Sequence, residues 1–158
     1  MKVRMFFVVA LTLGFLLSGI SGLPAASTKT TKKEAIKFTD VQVQTPEFIG
    51  YYKSIELSPQ QEKVKNQALS SIPAPCCSDF SIATCCCPCN LAKSVWGLSH
   101  YLITKYKYDA QQVKQSVQDW IQFVNKNGYS GNVCNMGHCA YPFHQDGCGG
   151  MKEDNIVF

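Results

Sequence analysis

All nine cysteines and all three histidines of this chain fall between Cys76 and Cys148, and no other feature limits its fold so tightly. The cysteines stand in four groups: Cys76-Cys77, Cys85-Cys86-Cys87 with Cys89, the pair Cys134 and Cys139, and Cys148. A cysteine-rich exported chain is first read as a disulfide framework. Three features weigh against that reading. The number is odd, so one thiol has no partner within the chain. Six of the nine fall in the fourteen residues Cys76–Cys89, and such crowding suits a shared site better than staples, each of which needs its own Cα separation and direction. The stretch Cys134-x3-His138-Cys139-x4-His144-x3-Cys148 also interleaves thiolate with imidazole, a donor set suited to zinc or copper.

Export is read from the first residues. Lys2 and Arg4 form a charged start, Phe6 to Leu17 an apolar run, and Ser18, Gly19, Ser21 and Gly22 a small-residue end. That is the pattern of a signal peptide over residues 1–22, and the apolar run is short for a membrane-spanning helix. The expected mature protein is periplasmic or extracellular with no stable membrane span, or membrane-anchored where the signal is kept.

Residues 23–57 begin with the Ser/Thr/Lys-rich run Ala25 to Lys33, the composition of a solvated linker, and Ile36, Phe38, Val41 and Val43 alternate as in a short strand or extended arm. The domain proper is expected over 58–158. Ser58-Pro59-Gln60-Gln61 combines a capping hydroxyl, a proline suited to the first turn and a reciprocal Gln, so a helix starts there and runs to about Ser70. A second helix is expected from Pro88, with Leu91, Val95, Leu98, Leu102 and Tyr106 on one apolar face. Asp109 with Gln112 repeats the capping pattern, and Val113, Val117, Trp120, Ile121 and Val124 trace the buried stripe of a third helix ended by Asn127-Gly128. The fold class is therefore mainly α: a small bundle of about three helices, a cysteine-rich loop and an irregular Gly/Cys/His-rich C-terminal lobe.

Charge narrows the partners. Residues 1–75 carry nine Lys/Arg and five Asp/Glu, and residues 76–158 carry six of each. The cysteine-rich half is neutral, which argues against nucleic acid. No Ser/His/Asp or paired-carboxylate pattern points to a hydrolase.

Cys86-Cys87-Pro88-Cys89 is a Cys-x-Pro-Cys sequence entering a helix. Unpaired amides and the dipole of a helix N-terminus stabilise thiolate, so one of its thiols is expected to be ionised near neutral pH. Two chemistries follow from an acidic thiol there: disulfide exchange through Cys86 and Cys89, or coordination of a metal that needs deprotonated sulfur. Asn90 stands where a c-type haem motif has His, which excludes that attachment. His100 lies eleven residues beyond Cys89, about 16 Å along a helix, too far to share one metal ion.

In layout, the capped helix leading through Pro75-Cys76-Cys77 to Cys85-Cys86-Cys87-Pro88-Cys89 resembles the exported bacterial proteins named for a Pro-Cys-Tyr-Cys-Gly-Cys motif, with a different motif spacing. The helix, Asp turn and helix after the cysteines resemble the helical thiol domain of cytochrome c maturation proteins. Both resemblances span roughly residues 58–125 and imply an exported helical domain presenting thiols.

The leading expectation is a soft-metal-binding protein handling copper, zinc or mercury. Its candidate ligands are Cys76, Cys77, Cys85, Cys86, Cys87, Cys89, Cys134, His138, Cys139, His144 and Cys148. An iron–sulfur cluster is a lesser expectation, since an oxidising compartment disfavours it. The other readings are a thiol-disulfide redox protein acting on a partner protein through Cys86 and Cys89, and a disulfide-stapled interaction domain.

Overall fold

The computed structural model describes residues 36–75, 77–128, 141–145, 147–156 and 158. Four α-helices dominate: α1 (Val41–Ser54), α2 (Pro59–Leu69), α3 (Asn90–Tyr101) and α4 (Ala110–Val124). Between α2 and α3, β1 (Pro73–Ala74) pairs antiparallel with β2 (Cys77–Ser81) in a two-stranded sheet whose register shifts within β1.

Two of the helix starts follow the sequence reading. At α2, Ser58 Oγ accepts from the Gln61 amide while the Gln61 side chain accepts from the Ser58 amide, and Asp109 with Gln112 does the same at α4. Each box satisfies two amides that a helix start leaves without partners. The second expected helix begins two residues later than Pro88, with Cys89 as its N-cap. After Tyr101 it widens into a π-helical turn, Leu102–Tyr106, closed by Lys107 in the left-handed region at φ 53°.

The fourth helix, α1, is where the sequence expectation of a linker or extended arm over 23–57 differs from the fold. Among the described residues, 36–40 precede it with no helix or strand. Asp40 caps α1 by accepting from the Gln42 and Val43 amides, and the helix continues through Pro46. Its buried face is short, Thr45, Phe48 and Ile49. Proline removes one helical hydrogen bond, so the helix owes its stability to packing on α3 rather than to its own propensity.

That packing is close because Gly97 has no side chain. A Cβ built there would lie 1.7 Å from the Phe48 carbonyl oxygen and 2.8 Å from the Tyr52 nitrogen. The core spreads from this crossing. Leu91, Val95, Leu98 and Leu102 of the predicted face are fully buried, as are Val113, Val117 and Trp120 of α4. Trp120 packs edge-on against Phe48 and at a tilt against Phe38, at centroid distances of 4.9 and 5.2 Å, and its indole N–H donates to Ser94 Oγ at 3.0 Å. A buried indole thereby keeps a partner for its donor. No helix among the described residues is long and apolar enough to cross a membrane.

Candidate thiol site

β2 and the turn that follows it carry the thiols to the N-terminal end of α3. A 3₁₀ turn, Ile82–Thr84, leads out of β2, and Trp96 of α3 holds it by donating its indole N–H to the Ile82 carbonyl at 2.8 Å. Cys85, Cys86 and Cys87 come next, on a bend between this turn and the N-cap. Cys77 is fully buried on β2, while Cys86 is exposed.

The Cys86 Sγ lies 3.7 Å from Cys87 Sγ. Burial pushes the Cys77 thiol up, against the pull of the Asp79 amide and with a further push from Cys86. Desolvation pushes Cys86 up as well, and the neighbouring Cys87 adds to it.

The expectation of an acidic thiol produced by the helix start therefore fails at Cys86. Desolvation is the main cause, Cys87 adds to it, and the α3 amides are engaged elsewhere. The Asn90 N–H donates to the Gly150 carbonyl at 2.9 Å and the Leu91 N–H to the Cys148 carbonyl at 3.0 Å. The helix start is occupied by backbone from the other end of the chain, and a thiolate four residues before the helix gains nothing from it.

That C-terminal segment, which carries the expected ligand Cys148, lies against the start of α3. Asn90 Nδ2 donates to the Gly149 carbonyl at 2.5 Å and the Lys152 carbonyl at 2.9 Å, and Lys93 Nζ donates to the Met151 carbonyl at 2.8 Å. Glu153 pairs with Lys93 of α3 and with Lys53 of α1. The result buries Cys89 and Cys148 against the same helix end.

The expected ligands thus divide. The Cys86 and Cys87 sulfurs touch; Cys77 is buried on β2; Cys85 is half-buried on the bend; Cys89 and Cys148 sit in the core; His144 is exposed on a 3₁₀ turn. Cys76, Cys134, His138 and Cys139 lie outside the described residues. Among the described residues no three His, Cys, Asp or Glu side chains converge on a point where a metal would sit, and no two of these cysteines are joined by a disulfide. His100 is committed elsewhere, between the Ile55 carbonyl and Lys65.

Compared with protein-family models, curated proteins and solved structures, the chain matches none of them.

Proposed function

We propose that this chain is an exported protein that binds a soft metal ion, copper, zinc or mercury, through thiolates centred on Cys86. The observation that carries the reading is the contact of the Cys86 and Cys87 sulfurs at 3.7 Å. Two thiolates each about 2.3 Å from one tetrahedral ion stand about 3.8 Å apart, so these sulfurs already span one edge of such a site. Cys77, Cys85, Cys134, His138, Cys139 and His144 are the further donors this reading would draw on. Soft sulfur ligands favour Cu(I) and zinc over hard cations.

The redox reading through Cys86 and Cys89 has less behind it. Cys89 is 1% exposed, out of reach of a partner's disulfide, and the helix amides that would acidify a thiol are taken by Gly150 and Cys148.

The test is metal content of the reduced protein after loading with Zn(II) or Cu(I), measured by elemental analysis and native mass spectrometry. Replacing both Cys86 and Cys87 with Ser is expected to lower the bound metal and to make the remainder easier for a chelator to remove. Equal stoichiometry and equal chelator resistance in the parent and the variant would exclude a site centred on Cys86.

A further inference from the structure

The bend that carries Cys86 and Cys87 is pinned at both ends. Before it, the Trp96 indole N–H holds the 3₁₀ turn through the Ile82 carbonyl at 2.8 Å. After it, the Cys89 N–H donates to the Cys87 carbonyl at 2.8 Å, closing a three-residue turn around Pro88, whose ring fixes the φ that such a turn needs. Between these ties the two sulfurs stand 3.7 Å apart, with Cys86 exposed and Cys87 half-buried. Adjacent residues have Cα atoms about 3.8 Å apart across a trans peptide, whereas a disulfide ordinarily needs about 4.4–6.8 Å. Closing the pair on itself is therefore strained. A single atom inserted between the sulfurs leaves them near the separation they already have.

We propose that Cys86 and Cys87 form a vicinal dithiol site for trivalent arsenicals bearing one organic group. Such an arsenic centre is thiophilic and carries two exchangeable hydroxides, so two sulfurs complete its bonding, where a tetrahedral metal ion needs four donors. The reaction is substitution without redox change. Cys86, the exposed thiol, reacts first: a sulfur–arsenic bond forms, an arsenic–oxygen bond breaks, and the hydroxide leaves with the thiol proton as water. Cys87 displaces the second hydroxide in the same way, closing a ring through the Cys86–Cys87 peptide. Arsenic stays trivalent, and two waters are released for two thiols consumed. The second step is intramolecular, so the contact of the two sulfurs gives it a high effective concentration that a single thiol lacks. The site uses the sulfurs of the proposed metal centre but needs no resident metal and no third protein donor.

The test treats the full chain, reduced and metal-free, with one equivalent of phenylarsine oxide, then alkylates the remaining thiols and maps the adduct by fragmentation mass spectrometry. The expected product carries one phenylarsenic group across Cys86 and Cys87, has lost two alkylatable thiols, resists excess glutathione and is released by dithiothreitol. In Cys86→Ser and in Cys87→Ser glutathione should strip the adduct, while in Cys85→Ser it should persist as in the parent. The position of the adduct in the parent decides the matter even where a variant fails to fold. An adduct on any other pair of cysteines, a glutathione-resistant adduct in both of the first two variants, or its loss in a folded Cys85→Ser would overturn the site, as would no adduct at all. Zn(II) and Cu(I) binding by the reduced parent is measured in parallel. Metal bound with no Cys86–Cys87 adduct would defeat the arsenical site alone; the adduct with no bound metal would defeat the metal reading alone.

Discussion

His100 shows how one buried side chain can tie three helices together and make their union depend on pH. Its Nδ1 lies 2.7 Å from the Ile55 carbonyl, so that nitrogen carries the proton, and Nε2 is left to accept from the Lys65 ammonium at 3.4 Å. Ile55 follows α1, Lys65 belongs to α2 and His100 to α3. Burial holds the imidazole below its usual pKa, the Lys65 charge adds to this, and the Ile55 carbonyl and Glu62 oppose it. A group whose folded pKa is depressed in this way binds its proton more tightly when unfolded. Its stabilising contribution is thus full above about pH 6.5 and fades as the pH falls below that value. Melting temperature should drop between pH 7 and 5, and His100→Asn, which keeps a donor near Ile55 but cannot take up the proton, should flatten that slope. Parallel melting curves for the two proteins across this range would remove His100 as the cause. Gly97 is a second single-residue test. An added methyl there meets backbone that belongs to another helix, so Gly97→Ala must push α1 off α3. Urea unfolding should show a loss of about 3 kcal/mol or more; a loss below about 1 kcal/mol would mean that the helices do not cross at this point.

Among the elements, those legible in the sequence carry their own instructions. The α2 and α4 starts were readable because Ser58 with Gln61 and Asp109 with Gln112 act within one turn. The α4 stripe was readable because Val113, Val117, Trp120 and Val124 repeat at helical spacing, and all four are buried. Trp120→Ala should therefore cost about 3–5 kcal/mol by denaturant unfolding, with loss of its near-ultraviolet circular dichroism. An unchanged midpoint would put the stripe at the surface. By contrast, α1 has a proline inside it and a short buried face, so neither propensity nor period announces it; its cause is the Gly97 surface of α3, distant in sequence. The thiol site divides in the same way. Clustering of the cysteines is visible as soon as they are counted, but that Cys77 is buried and Cys86 exposed depends on a two-stranded sheet whose shorter strand has two residues and a shifted register. The failed expectation of an acidic Cys86 has a similar origin, since its main cause, desolvation in the folded chain, is written in no local pattern.

At the scale of the whole molecule, that long-range contact makes the C-terminal segment a clamp on the helix that carries the thiols. Residues 148–153 give four backbone carbonyls to the start of α3, two to its main-chain amides and two to the Asn90 side chain, and the Met151 carbonyl takes the Lys93 ammonium. Glu153 completes the closure by bridging Lys93 to Lys53, so α1, α3 and the C-terminal segment share one ion-pair junction. Hydrogen bonds to Lys53 and Lys93 hold the Glu153 carboxyl below its usual pKa, more than desolvation raises it. Its contribution is full above about pH 5 and is lost as the pH falls through the carboxylate range. Asn90 is the more decisive test, because Asn90→Ala leaves the carbonyl of the buried Gly149 without that donor and removes the bond to Lys152, a loss of about 1–3 kcal/mol. If the clamp opens as a unit, Asn90→Ala should speed amide hydrogen exchange at residues 148–153 and at the start of α3 together. The Cys148 thiol, 3% exposed in the closed fold, should become alkylatable at the same time, while Trp120 fluorescence and the α4 amides stay as in the parent. Glu153→Gln should show a milder form of the same opening at neutral pH, and the parent should approach it on acidification below about pH 4. Exchange that rises uniformly through all four helices would instead mean that the C-terminal segment is part of the core's single cooperative unit and not a separate closure over the thiol-bearing helix.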